Sequence, residues 1–212
     1  LKRLLSYLIP TQGESVEASI LPGIEVNINN GKVHIDGKEV NYSFGSLHYV
    51  FRKAIRLKSK IISQAKNALI LGFGAGSIAK ILWNEKNYPI KITGVDFEPM
   101  MFALAKKHAG IRDFEQLQLV EADASHYMSN CNETFDVIFI DLFVEDQIPE
   151  FCITEHFLKQ IKTCLSDKGI VIWNTLTKHP VAEQVQSIAI DAGFISIKIA
   201  QVTKDNSVLN LL

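Results

Sequence analysis

The stretch Asn67–Lys107 constrains the fold more than any other part of the chain. It reads as an apolar strand (Ala68-Leu69-Ile70-Leu71) followed by a glycine-rich turn (Gly72-Phe73-Gly74-Ala75-Gly76). A helix carrying Ile78, Ala79, Ile81 and Leu82 comes next, then a strand from Ile90 to Val95 ending in Asp96, then a second helix. Glycines directly after a strand let a ligand approach the backbone with no Cβ in the way, and the helix opening there offers free N–H groups. A carboxylate at the end of the next strand can accept hydrogen bonds from both hydroxyls of a ribose. Together these features predict a site for an adenosine-like cofactor.

Context separates the cofactor classes that share such a turn. A dinucleotide fingerprint would place glycine or alanine at position 77, where this chain has Ser77. Two further acids stand at strand ends: Leu117–Glu121 leads to Asp123, and Phe135–Ile140 leads to Asp141. Successive strands thus deliver Asp96, Asp123 and Asp141 to one carboxyl edge of a sheet, where open α/β folds bind ligands. Each residue also has a plainer reading. The glycines could serve tight packing, Asp96 and Asp123 could cap helices, Glu98 could answer a helix dipole, and Asp141 could cap a loop.

The residues LILGFGAG at 69–76, GVDFEPMMFALAKKH at 94–108, VEADA at 120–124 and FDVIFID at 135–141 resemble the class I S-adenosylmethionine-dependent methyltransferase superfamily. Within it the chain looks most like the spermidine synthases, which also carry an apolar residue where Leu71 stands. The resemblance implies a seven-stranded, mostly parallel sheet with helices on both faces and an antiparallel last strand. It implies cofactor contacts at Gly72, Gly74, Gly76, Asp96 and Phe97. Asp123 would meet the adenine amino group, and Ala124 would pack beside the ring. Asp141 would orient an amine acceptor or take its proton, with Tyr42 and His48 also on the acceptor side.

The departures from the synthase pattern matter as much as the matches. Val144-Glu145 stands where the synthases have a second aspartate followed by proline. Tyr42 is followed by Ser43-Phe44 where a glutamate is expected, and Ala75 replaces an acid in the glycine turn. The reading therefore leads with a transferase that uses S-adenosylmethionine and moves a methyl group to a small acceptor. The alternative is an aminopropyltransferase using decarboxylated S-adenosylmethionine. A nucleoside-binding protein without catalysis is the third.

Composition bounds the partners. A net charge of −1 argues against bulk attraction to nucleic acid or anionic membranes. No apolar run approaches the roughly 18–20 residues that span a bilayer. Cys131, Cys152 and Cys164 lack CxxC spacing and suit reduced thiols in a cytoplasmic protein. The six histidines show no metal-binding spacing, so no metal is expected. The acids Asp141, Glu145, Asp146, Glu150 and Glu155 read as a solvated face that could also draw in a cationic amine. A homodimer is kept as a possible assembly. Because the chain opens on Leu1, it is expected to start inside a longer one.

Residues 1–45 read as an appendage and 46–212 as the cofactor-binding α/β domain. The appendage would hold a short helix, Leu1–Ile9, and a meander of strands at Ile24–Ile28, Lys32–Ile35 and Glu39–Tyr42, turned by Asn30-Gly31 and Asp36-Gly37. A helix over 46–58 would bury Leu47, Val50, Phe51, Ala54 and Leu57. Its basic residues, Arg52, Lys53 and Arg56, would face water. Helices near Ile153–Cys164 and Val181–Ala192 would flank a strand at Gly169–Trp173. Phe194–Val202 and Ser207–Leu212 would form a closing hairpin.

Overall fold

A computed structural model describes residues 11–16, 24–29, 32–36, 46–110, 114–144, 147–177 and 181–212. Two sheets are present among them. Strands β1 (Thr11–Val16), β2 (Ile24–Asn29) and β3 (Lys32–Asp36) form an antiparallel sheet in sequence order. The outer strand paired with β2 is Thr11–Val16, which pairs across an irregularity between Gln12 and Glu14. Its sequence, TQGESV, lacks apolar alternation, so the pattern did not mark it. The expected helix Leu1–Ile9 and strand Glu39–Tyr42 lie outside the described residues.

The second sheet contains β4 (Asn67–Leu71), β5 (Lys91–Asp96), β6 (Leu117–Glu121), β7 (Phe135–Ile140), β8 (Leu165–Leu176), β9 (Ile197–Gln201) and β10 (Asn206–Leu211). Their order is β6-β5-β4-β7-β8-β10-β9. Strands β4 to β8 pair in parallel, and β10 runs antiparallel to both β8 and β9. Ala68–Leu71 and Val137–Ile140 are fully buried, as central parallel strands covered on both faces must be. At the amino edge, the Asp136 carboxylate ties three strands by accepting from the Lys66 N–H and the Ser166 hydroxyl.

Helices cover both faces. On one lie α1 (Ser46–Leu57) and α2 (Ser59–Ile62), with α3 (Ser77–Lys80), which runs on through Ile81–Glu85 as a wider turn. On the other lie α5 (Ala124–Asn130), α6 (Glu155–Thr163) and α7 (Val181–Asp191). Helix α4 (Pro99–Leu104) continues through Ala105–Ala109 and closes at Gly110, whose φ is +64°. In α1 the buried stripe is Val50, Phe51, Ala54 and Ile55, and Leu57, in the last turn, is 58% exposed instead. Among the described residues no helix is long and apolar enough to cross a membrane, and no group of side chains could hold a metal ion.

Candidate active site

The strand order reverses between β4 and β7, since β4 leads to β5 on one side and β7 to β8 on the other. Such a switch point opens a crevice at the carboxyl ends of the strands. The glycine turn and Asp141 meet there. Gly72, Gly74 and Gly76 have φ of +81°, +52° and +82°, a region that favours glycine. The N–H groups of Gly72 and Phe73 both donate to the Val95 carbonyl, at 3.0 Å each. A Cβ on Gly72 would lie 2.2 Å from the Asp141 carbonyl oxygen, so this glycine answers the neighbouring loop. Gly72 therefore packs directly against the backbone at the end of β7.

Asp96, at the end of β5, is 9% exposed. Its carboxylate accepts from the Gly74 N–H at 2.7 Å and from the Glu98 N–H at 3.0 Å. Burial pushes its pKa up, these N–H groups pull it back, and the Glu98 carboxyl adds to the rise. Each oxygen carries one of these donors, which leaves acceptor capacity on the carboxylate. Phe97 beside it is partly exposed. Glu98 is buried and caps α4, its side chain accepting from the Met100 N–H at 3.1 Å.

Asp123 is the N-cap of α5. One oxygen, Oδ1, takes the N–H groups of Ser125 and His126 and the Ser125 hydroxyl. Burial alone would raise its pKa, but those donors outweigh it and hold the carboxyl low. Its Oδ2 has no protein donor among the described residues. Ala124 packs into the core at 6% exposure.

Asp141 keeps part of its surface open, yet protein atoms crowd its carboxyl. Burial pushes its pKa up to about 7; the Asn174 amide opposes the rise and the nearby Asp96 charge adds to it. Asn174 donates to Asp141 Oδ1 at 3.0 Å. The sequence reading missed Asn174, although its signal was there: a polar residue directly after the apolar run Ile170–Trp173, the same strand-end rule that singled out the acids. It also missed why the glycine turn holds Phe73. That ring is buried at 4% exposure against Phe102, over Gly94, where a Cβ would come within 2.3 Å of it.

The structure thus brings the glycine turn, Asp96 and Asp141 together, with Asp123 just beyond the end of β6. It takes His48 elsewhere. His48 Nε2 lies 2.7 Å from Glu85, which Arg52 also pairs with at 2.7 Å, at the end of the wider turn that follows α3. Glu85 is nine residues from Gly76 along that helix, roughly 13 Å. His48 is expected on the acceptor side, and in the structure the Glu85 carboxylate holds its ring. Tyr42 lies outside the described residues.

The comparisons fit this geometry. A family model described as a methyltransferase domain matches residues 62–209. A polyamine aminopropyltransferase of Vibrio vulnificus is 24% identical over 152 residues, covering 68% of this chain and 50% of the relative. One from Neisseria meningitidis is 30% identical over 106 residues, covering 49% of this chain and 40% of the relative. The chain therefore spans about half or less of the length of these curated relatives. Among solved structures, a probable spermidine synthase from Corynebacterium glutamicum matches with a TM-score of 0.79 at 16% identity, covering 94% of this chain and 79% of that one. Human methyltransferase-like protein 13 in complex with SAH matches with a TM-score of 0.61 at 18% identity, covering 78% of each chain. These likenesses place the fold. With most of its length matched by the family model, the chain belongs to the methyltransferase-domain family, within the superfamily of S-adenosylmethionine-using transferases that includes the aminopropyltransferases.

Proposed function

We propose that the protein is an aminopropyltransferase-like enzyme, moving a carbon group from decarboxylated S-adenosylmethionine to a small amine. The sequence reading put methyl transfer first; the relatives named above shift the weight to aminopropyl transfer. The likeness to the polyamine aminopropyltransferases carries the choice, and Asp141, a partly open acid whose burial lifts its pKa to about 7, supports an acceptor with a proton to lose. A carboxylate poised near neutral pH suits proton acceptance from an amine. Methyl transfer to an amine would use it equally, so the acid speaks for the acceptor and the relatives for the donor.

The residues present fit the donor. Asp96 would take the ribose hydroxyls on its remaining lone pairs, and Asp123 Oδ2 would take the adenine amino group while Oδ1 stays on the helix cap. Gly74, Gly76 and Phe97 would border the nucleoside, with Ala124 beneath the ring. A bound sulfonium supplies an electrophilic carbon and a thioether leaving group. An amine nitrogen bonding to that carbon would leave the carbon–sulfur pair with sulfur, and Asp141 Oδ2 would accept the proton the nitrogen sheds. Orientation supplies much of the acceleration, since the thioether needs no proton. Val144, 57% exposed where synthases carry a second acid, leaves the acceptor held by fewer charges. In this reading residues 46–212 form the donor-binding unit and residues 1–45, with Tyr42, its appendage.

Calorimetry with S-adenosylmethionine, its decarboxylated form and methylthioadenosine tests the donor, and a panel of diamines tests the acceptor. Preference for the decarboxylated form with transfer to an amine is expected. Preference for S-adenosylmethionine itself would restore methyl transfer. Nucleoside binding without transfer to any acceptor would leave a binding protein.

A further inference from the structure

We propose that Asn174 is a positioning residue for Asp141, and that Asn206 and Thr203 behind it fix which way the Asn174 amide points. This deepens the reading above and rests on Asp141 being the acid that meets the acceptor.

Asn174 lies near the carboxyl end of β8 at 1% exposure. Its Nδ2 donates to Asp141 Oδ1 at 3.0 Å, and its Oδ1 accepts from Asn206 Nδ2 at 3.1 Å. Asn206, at the start of β10, accepts on its own Oδ1 from the Thr203 hydroxyl at 3.2 Å. Thr203 Oγ1 in turn accepts the N–H groups of Asp205 and Asn206, at 3.2 and 2.9 Å. A row of neutral side chains therefore runs from the β9–β10 turn to the carboxylate.

The row has a direction. A backbone N–H can only donate, so the two N–H groups occupy the Thr203 lone pairs and send its proton to Asn206 Oδ1. Asn206 must then present its NH₂ to Asn174 Oδ1, and Asn174 must present its own NH₂ to Asp141. The two ends of an amide are nearly alike in shape, so their orientation is set by such a network. Asp141 thereby always meets a donor on Oδ1, which favours its ionised form and leaves Oδ2 to accept a proton. Among the described residues, the charge bearing on Asp141 is Asp96 from β5. From β4 it meets backbone, its N–H donating to the Leu71 carbonyl at 2.9 Å. A role confined to fastening β8 to β10 would need no such polarity, because the strands already pair in register from Asn206 to Leu211.

The test follows the Asp141 carboxyl directly, by ¹³C NMR titration of aspartate-labelled protein, with Asp141→Asn identifying the signal. Asn174→Leu keeps the volume and removes the donor, and should raise the midpoint by about one to two pH units. Asn206→Ala lets the Asn174 amide turn its oxygen toward Asp141 and should raise the midpoint as well. It also carries the test if Asn174→Leu fails to fold. Nucleoside affinity should stay within about twofold in both variants, since Asp96 and Asp123 are untouched. A folded variant that melts earlier but titrates at the parent midpoint overturns the inference and leaves the row as strand fastening. A midpoint moved by Asn174→Leu alone overturns the part assigned to Asn206. A moved midpoint in a protein that transfers nothing to any amine leaves the inference standing and overturns the proposed reaction instead.

Discussion

The carbonyl oxygen of Asp141 occupies the place where a side chain on Gly72 would begin, 2.2 Å from the Cβ position. Two neighbouring parallel strands can end this close together only because one of them ends in glycine. The same contact fixes the backbone that carries the Asp141 carboxyl. Gly72 is thus tied to the acid it adjoins as firmly as to any nucleoside.

Gly72→Ala should therefore do two kinds of damage, since φ is +81° and the obstructing atoms are backbone. We expect a loss of about 2–5 kcal/mol in urea unfolding, from strain together with overpacking. Gly110→Ala is the control. Its φ is +64° but nothing lies within 4 Å of its Cβ position. It should lose only about 1 kcal/mol, the backbone part alone. Equal losses in the two variants would show that the Asp141 carbonyl moves aside freely.

Asp96 holds the Gly74 and Glu98 N–H groups as well as its proposed ligand. Asp96→Ala should weaken methylthioadenosine binding roughly tenfold to a hundredfold and also lower the melting temperature, because buried N–H groups lose their acceptor. Calorimetry on the folded variant reads the first effect and a thermal melt the second. An unchanged affinity would move the ribose elsewhere.

At Asp123 the cap and the proposed adenine contact use different oxygens, so two variants can separate them. Asp123→Ala should cost about 1 kcal/mol through loss of the α5 cap. Asp123→Asn can keep the cap with its amide oxygen on Ser125 and His126, and would then turn an NH₂ toward the adenine amino group. Its stability should stay near the parent while nucleoside affinity falls several-fold. If Asp123→Asn binds as well as the parent, Asp123 is a cap and nothing more.

The acid Asp141 makes stability depend on pH with a definite sign. Its carboxyl titrates near 3.8 in an unfolded chain and about 7 when buried in the fold. Between those values the folded state holds a proton that the unfolded state has released, so its contribution to stability falls as pH rises through that window. Asp141→Asn removes the dependence. Its melting temperature relative to the parent should therefore climb between about pH 4 and about pH 7 and level off above. In the transfer assay the same variant should lose roughly 10²–10⁴-fold in rate. A melting difference that stays flat across this range would place the ordinary carboxyl value on Asp141.

The sequence alone determined the sheet and the strand-end rule. Apolar runs at 68–71, 92–95 and 137–140, each followed by glycine or acid, could hardly be read otherwise than as parallel strands feeding one edge. Pro99 at the start of α4 and Gly110 at its close are also local matters, because capping depends on neighbours a few residues away. Tertiary structure alone decided which of these residues meet. Gly72 faces Asp141 across 69 positions of sequence, Asn174 reaches Asp141 across 33, and His48 meets Glu85 across 37. No periodicity encodes those distances. They arise where separate strands and helices are brought side by side, and a hydrogen bond or a close backbone approach is decided only there.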